Sequence, residues 1–151
     1  LVTSRYRPRM SPKRRLVLQA VLYEIFAIIL VGPVLSIVFG KSMNSSLGLA
    51  AVLSTIALTW NFVFNMIFES WEHYQASKER TFRRRLLHGV GFEGGLVVLL
   101  VPVMAWWLET SLLTAFITNI GLMAFFFFYA ILFTWIFDRV FGLPASASNR
   151  M

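Results

Sequence analysis

The sequence predicts an all-α integral membrane protein with four transmembrane helices, arranged as two two-helix repeats of the same orientation. Three observations predict this fold class: long apolar segments, positive charges between or outside those segments, and an internal repeat. Of the 151 residues, 58% are hydrophobic and 14% are charged, whereas about 25% are charged in a typical soluble domain. The sequence contains no cysteine, which excludes disulfides, thiol nucleophiles and thiolate metal sites.

Four apolar segments are each long enough to cross a bilayer, for which a helix needs about 20 mostly apolar residues. The second and fourth segments contain no charged residue, and the first and third contain one acid each. Since lipid offers backbone polar groups no partners, each segment is expected to be a continuous helix. Residues 40–46 and 109–111 are short connections that make each pair an antiparallel hairpin. The predicted spans are residues 16–39, 47–68, 86–108 and 112–137.

The distribution of positive charge predicts the orientation. Six Lys or Arg residues precede the first span, five lie between the second and third spans, two follow the last, and only Lys41 lies at a hairpin tip. Cytoplasmic segments carry an excess of Lys and Arg, so both termini are expected in the cytoplasm. The net charge of +7 is then explained by topology and anionic lipid headgroups, and no nucleic-acid partner is expected.

The second half of the sequence aligns with the first half without gaps. Each repeat crosses the membrane twice, so the two copies form a parallel rather than an inverted repeat. This predicts a basic tail 1–14, repeats 15–72 and 84–141 joined by a basic linker 73–83, and a tail 142–151. The matched pairs include Arg15 with Arg84, Glu24 with Glu93, Pro33 with Pro102, Trp60 with Tyr129, Phe64 with Phe133 and Glu69 with Asp138.

Glu24 and Glu93 are the two acids inside the predicted spans. Glu24 lies nine residues past Arg15, roughly 13 Å along a helix, and a charge at the helix centre costs about 2.5–3.5 kcal/mol on insertion scales. A low-dielectric environment favours the neutral form of a carboxyl group. A carboxyl group that binds either a proton or an organic cation is sufficient to exchange one for the other. The alternative is a structural acid. It weighs more for Glu93, because the glycines beside it also indicate close helix packing.

The second span contains two amides in an otherwise apolar segment. Asn61 and Asn65 are one helical turn apart and Glu69 is one turn further on, so all three share one face of the helix. We expect the two asparagines to be partners of the Glu24 carboxylate inside the membrane. The alternative is that they bond to a neighbouring helix and only hold the bundle together.

Aromatic residues are candidate contacts for a cationic substrate. Trp60 and Phe64 begin a stripe at four-residue spacing, and Tyr23 directly precedes Glu24. Aromatic faces attract organic cations by about 0.5–2 kcal/mol, although packing or lipid contact is the alternative. His88 lies near the cytoplasmic edge, where it would relay protons or cap the interface. Two histidines and no cysteine do not favour a metal site, and we expect no cofactor, with a proton gradient as the energy source.

Several motifs extend over residues 14–138, nearly the whole chain. They are Arg15-x8-Glu24, Trp60-Asn61-x3-Asn65-x2-Phe68-Glu69, Arg85-x2-His88-Gly89-x2-Phe92-Glu93-Gly94-Gly95 and Tyr129-x8-Asp138. In combination they are far more specific than any one of them alone. The sequence resembles the proteobacterial antimicrobial compound efflux (PACE) transporters, which consist of two bacterial transmembrane pair domains.

The resemblance implies a proton-coupled, dimeric exporter in the bacterial inner membrane. Its implied substrates are cationic biocides and dyes such as chlorhexidine, acriflavine and benzalkonium, with short-chain diamines as a further candidate class. It also implies that Glu24 is the essential protonation site. Two positions depart from the family pattern: Gln19 replaces a usual His, which bears on proton relay, and Asn119 replaces a common Asp, which bears on substrate choice. The secondary candidates for coupling are Glu93, His88, Glu69, Asp138, Arg15 and Arg85.

Two other functions fit the same residues. The chain could be a non-transport assembly or regulatory subunit whose acids hold the bundle together, or a passive proton or cation channel. An enzyme is not expected, because the sequence has no nucleophile–base spacing and no glycine-rich phosphate loop. A four-helix monomer offers little room for a drug-sized pocket of about 300–1,000 Å³, so we expect a homodimer in the bilayer.

Overall fold

A computed structural model describes residues 10–77, 79 and 81–142 of the chain. These residues form four α-helices, and no strand occurs among them. The orientation prediction rests partly on basic residues in segments 1–9 and 143–151 and on Lys78 and Arg80, which lie outside the described residues. The helices are α1 Pro12–Phe39, α2 Met43–His73, α3 Phe82–Trp107 and α4 Leu112–Phe141.

Every helix begins at a hydroxyl residue. The side chains of Ser11, Ser42, Thr81 and Ser111 each accept a hydrogen bond from the backbone N–H three residues further on, which satisfies a donor that the first helical turn leaves free. Because of these caps, α1, α2 and α3 begin about one turn before the predicted spans. The predicted spans cover the apolar part of each helix and leave out these polar first turns.

All four helices are long and apolar enough to cross a membrane, which confirms the predicted fold class. They form two hairpins whose tips are the connections at Gly40–Ser42 and Leu108–Ser111; this end of the bundle is called the tip end, and the end with the linker is called the base end. A buried apolar cluster fills the half nearer the tips. Its buried members are Val31, Leu35, Leu49, Ala50, Leu53, Val101, Met104, Leu108 and Ala115.

Lys41 and Glu109 join the two hairpin tips, since the Lys41 ammonium donates a hydrogen bond to the Glu109 carboxylate. This hydrogen bond, together with the positive charge of Lys41, lowers the pKa of the Glu109 carboxyl below its ordinary value. The stabilisation by the pair is therefore present at neutral pH and is lost as the pH falls through the lowered pKa. The Glu109 side chain is 78% exposed, and exposed ion pairs of this kind stabilise proteins little.

The contacts between the repeats occur in matched pairs. The Trp60 indole donates to the Phe92 carbonyl at 3.0 Å, and the Tyr129 hydroxyl donates to the Tyr23 carbonyl at 2.8 Å. In the alignment of the two repeats, Trp60 corresponds to Tyr129 and Tyr23 corresponds to Phe92. The first bond joins α2 to α3 and the second joins α4 to α1, so each repeat uses the same position to hold the other.

The base end is held by a second matched set of contacts, around arginines. Arg15 on α1 pairs with Asp138 on α4 at 2.7 Å, and its guanidinium lies 4.9 Å from the centre of the Phe137 ring. Arg84 on α3 pairs more loosely with Glu72 on α2, at 3.7 Å. Since Arg15 and Arg84 are repeat equivalents, each repeat sends an arginine to an acid at the base end of the other repeat.

Candidate functional site

A partly open cavity of about 850 Å³ lies between the helices and is lined by residues from all four of them. This volume is within the usual range for small-molecule sites, about 300–1,000 Å³. The expectation that one chain offers little room for a drug-sized pocket is therefore wrong, because the core cluster does not fill all of the space that the four helices line. Most of the lining is apolar. The polar residues that line it are Tyr23, Glu24, Ser54, Asn61, Glu93 and Asn119.

Glu24 enters the cavity from α1 and is half-buried. Its carboxylate accepts a hydrogen bond from the Ser54 hydroxyl of α2, rather than from either of the asparagines that the sequence suggested. Ser54 is seven residues before Asn61, two helical turns, so both lie on the face of α2 that meets the cavity. The seven-residue spacing from Asn61 was the only signal in the sequence for a role of Ser54 in the cavity. A serine in an apolar span is also common in helix contacts.

Asn61 and Asn65 form the start of a hydrogen-bonded chain toward the base end. The Asn65 amide nitrogen donates to the Asn61 side-chain oxygen at 2.8 Å, and the Asn65 oxygen lies 2.9 Å from Nε2 of His88. Because an amide oxygen only accepts, Nε2 of His88 carries the hydrogen in this arrangement. Asn61 lines the cavity and Asn65 does not, so the structure connects His88 to the cavity rather than Asn65 to Glu24.

Glu93 enters the cavity from α3, at the position that matches Glu24 in the repeat. Its Oε2 atom is buried and has no hydrogen-bond partner among the described residues. The close packing expected around Glu93 is made by the neighbouring glycines of α3 rather than by Glu93. A Cβ on Gly95 would overlap the Trp60 ring, and one on Gly91 would lie 3.0 Å from the Phe64 ring. The glycines bring α2 and α3 together, and the carboxyl itself bonds neither helix.

Of the three aromatic residues predicted to contact a substrate, one lines the cavity and two do not. Tyr23 lines the cavity and packs against the Tyr129 ring, with centroids 4.8 Å apart. Trp60 and Phe64 lie between α2 and α3 and are not among the cavity-lining residues; Phe64 packs against the His88 ring at 5.1 Å. The other rings that line the cavity are Phe92, Phe126 and Phe127.

The other secondary candidates lie at the base end, away from the large cavity. Arg15 and Asp138 bind each other, and Glu69 is exposed. Arg85 and His88 line a small second cavity of about 100 Å³ together with Phe68 and Arg84. Within the described part of the chain, no group of three or more His, Cys, Asp or Glu residues could hold a metal ion.

Comparison with known families decides what kind of protein carries this cavity. The sequence matches the family described as chlorhexidine efflux transporter twice, over residues 10–74 and 80–143. The chain belongs to this transporter family. The two matches confirm the internal repeat and the resemblance to PACE transporters, and with the four apolar helices they identify a multi-pass transporter of the bacterial inner membrane.

Curated relatives of this transporter have one name in common. A short-chain diamines transporter of Vibrio parahaemolyticus is 38% identical over 125 residues, which cover 82% of this chain and 88% of the relative. Short-chain diamines transporters of Acinetobacter baumannii and Acinetobacter baylyi are 35% and 32% identical over 128 residues, 85% of this chain and 88% and 89% of the relatives. No solved structure matches the chain.

The two residues that we expect to depart from the PACE pattern have different surroundings in the structure. Gln19 lies one turn beyond Arg15 and accepts a hydrogen bond from its guanidinium at 3.5 Å, so it belongs to the base-end contacts. Asn119 is buried on α4, lies 3.7 Å from the Met123 sulfur through its amide nitrogen, and lines the cavity. A neutral amide at 119 leaves Glu24 and Glu93 as the acids among the lining residues.

Proposed function

We propose that this chain is a proton-coupled efflux transporter in which the Glu24 carboxyl binds a proton and an organic cation in turn. The observation that supports it most strongly is a carboxyl group inside a mostly apolar cavity of drug-sized volume, in a chain of a transporter family. A bare carboxylate in such surroundings is unfavourable. Either a proton or a cation neutralises it, and one carboxyl cannot hold both, which makes the exchange obligatory.

The neighbours of Glu24 have distinct parts in this proposal. The Ser54 hydroxyl fixes one carboxylate oxygen and leaves the other for a proton or an ammonium group. The Tyr23 ring supplies an aromatic surface for cations, and Asn61 supplies an amide at the base-end side of the cavity. The hydrogen bonds between Asn61 and Asn65 and between Asn65 and His88 fix the orientation of both amides. Asn65 is therefore a positioning residue.

The proposed substrates are organic cations. The relatives are named short-chain diamines transporters and the family is described as a chlorhexidine efflux transporter, so we place both chemical classes in the cavity, with acriflavine and benzalkonium as further cationic candidates. A cation with an apolar body fits a cavity with mostly apolar walls and the half-buried Glu24 carboxyl. The proton gradient supplies the energy, and no cofactor enters the proposal.

Transport against a gradient is the experiment that tests the proposal. Purified protein is reconstituted in liposomes with an acidic interior and a clamped membrane potential, and labelled 1,4-diaminobutane is added outside. We expect accumulation well above that in protein-free liposomes, in which the weak base is only trapped by protonation, and we expect it to be lost when nigericin collapses the pH gradient. Equilibration without accumulation would identify a passive channel. No movement of any amine or cationic biocide, and no proton flux on their addition, would contradict transport altogether.

We further propose that both termini and the linker face the cytoplasm, because the Lys and Arg residues are concentrated in these segments and such segments are usually cytoplasmic. Because the sequence has no cysteine, single-cysteine variants report on one position each. A membrane-impermeant maleimide is expected to label Glu109→Cys in spheroplasts and Glu79→Cys only after permeabilisation. The reverse pattern would invert the topology and with it the direction of export.

We also propose that the transporter is a homodimer. The resemblance to PACE transporters supports it, whereas the lack of room in a single chain no longer does. Native mass spectra that show only monomers, recorded in a detergent or lipid in which the protein remains active, would contradict it.

A further inference from the structure

Two carboxyl groups face the same cavity but differ in how the protein satisfies them. Glu24 is bonded to the Ser54 hydroxyl. Glu93 has a buried oxygen with no partner among the described residues, although it lines the cavity. A buried acceptor without a partner is destabilising, so the fold alone gives no reason for a glutamate at position 93.

The repeat explains why both acids line one cavity. Glu24 and Glu93 occupy the same position in the two repeats, on α1 and α3. The matched bonds from Trp60 to the Phe92 carbonyl and from Tyr129 to the Tyr23 carbonyl fix the residue directly before each glutamate. Equivalent bonds therefore hold the backbone beside each acid, on α1 and on α3, and both acids line the same cavity.

We propose that Glu93 is a second cation-binding group, so that a diamine is held with one ammonium group on Glu24 and the other on Glu93. This rests on the proposed function, because it names the residue that selects the substrate in the same cavity. The alkyl chain of the diamine lies against the apolar lining between the two acids. No bond is made or broken, apart from the proton that each carboxyl releases when an ammonium group replaces it.

Electrostatics makes this arrangement selective for dications. Two carboxylates in one low-dielectric cavity repel each other, and an unpaired buried charge is costly. A monoamine neutralises one carboxylate and leaves the other to a proton, whereas a diamine neutralises both. The neutral amide of Asn119 keeps the number of acids in the described lining at two, which matches the two charges of a diamine.

Binding of a matched pair of amines tests the inference without requiring transport. Affinities for 1,4-diaminobutane and butylamine are measured by calorimetry on purified wild type, Glu93→Gln and Glu79→Gln. Because a hydrogen bond to a charged group changes affinity by about tenfold to a hundredfold, we expect a preference of that size for the diamine in the wild type. Glu93→Gln should lose most of it, with butylamine affinity little changed, and Glu79→Gln, which removes an exposed linker acid, should keep it.

A second variant covers the case in which Glu93→Gln does not fold. Glu93→Asp keeps the charge but moves it back by one methylene group, so we expect the preferred diamine to become longer, 1,5-diaminopentane rather than 1,4-diaminobutane. An unchanged preference in both variants, or equal losses for diamine and butylamine, would overturn the role of Glu93. Since the readout is binding, a wild type that discriminates through Glu93 supports this inference even if liposomes show no proton exchange, which would contradict only the proposed function.

Discussion

Glu24→Gln is expected to remove all protection against cationic compounds while leaving the protein folded in the membrane. Glutamine has nearly the same shape, and its side-chain oxygen can still accept the hydrogen bond that Ser54 donates to Glu24. It cannot bind a proton or pair with a cation at its full charge. The measurement is the susceptibility of a pump-deficient bacterium to chlorhexidine and acriflavine, with wild type and variant at matched membrane levels.

The control for this experiment is Glu79→Gln, which removes a carboxyl from the exposed linker and is expected to protect as the wild type does. The variant Glu24→Gln should match cells without the transporter. If Glu24→Gln protected normally, the carboxyl would not be the coupling group. If instead the variant lost folded yield and thermal stability more than protection, Glu24 would be a structural acid, as in the alternative of a non-transport subunit.

Gly95→Ala is expected to have the largest effect on stability. An added Cβ would overlap Cζ2 of Trp60 and lie 2.9 Å from its Nε1, so the indole must move away from α3. The shift would strain a packed contact, at about 1–3 kcal/mol, and would break the bond from Trp60 to the Phe92 carbonyl, which contributes about 0.5–1.5 kcal/mol. Thermal unfolding in detergent should therefore show a melting temperature lower by several degrees.

Gly94→Ala is the matched control, one residue away on the same helix. An added Cβ there meets nothing within 4 Å, and alanine is a better helix former than glycine by about 1 kcal/mol. The melting temperature should stay the same or rise. Equal melting temperatures for the two variants would contradict the contact between Trp60 and α3. Because Phe92 directly precedes Glu93, Gly95→Ala should also weaken any diamine preference.

The four helices and the duplication could be predicted from the sequence because the bilayer permits few solutions. Backbone groups in lipid must bond within a helix, so the length of each apolar run determines a span. A single gapless alignment of the chain with itself then determined the repeat, and matches over 10–74 and 80–143 confirm it. The helix ends were predicted less well, since caps such as Ser42 and Thr81 extend the helices beyond the apolar runs.

The site could be predicted only in part, because helices that are apolar all round give no signal for which face points inward. Glu24, Glu93, Asn61 and Tyr23 line the cavity, and they stood out as polar residues in apolar spans. Ser54 was missed for the reason that serines are ordinary in such spans. The pairing of Asn65 with His88 depends on how α2 and α3 rotate against each other, which the sequence does not specify.

For the aromatic residues, too, the sequence did not show whether a helix face meets the cavity or a neighbouring helix. Trp60 and Phe64 form a regular stripe, and their spacing fits a cation site and a helix contact equally well. The glycines opposite them were the deciding feature: Gly91 and Gly95 leave the room on α3 that these rings fill. A stripe of large residues on one helix facing small residues at four-residue spacing on the next is typical of packing.

Exchange of a proton for a cation at the Glu24 carboxyl can be measured as proton release on binding. Purified protein in weakly buffered detergent solution is titrated with 1,4-diaminobutane while a pH indicator reports free protons and calorimetry reports binding. We expect proton release with binding in the wild type, and greater release at pH values where more of the carboxyl is protonated. In Glu24→Gln we expect both the proton release and the affinity to be reduced. Binding of full strength without proton release, or equal release in wild type and Glu24→Gln, would contradict it.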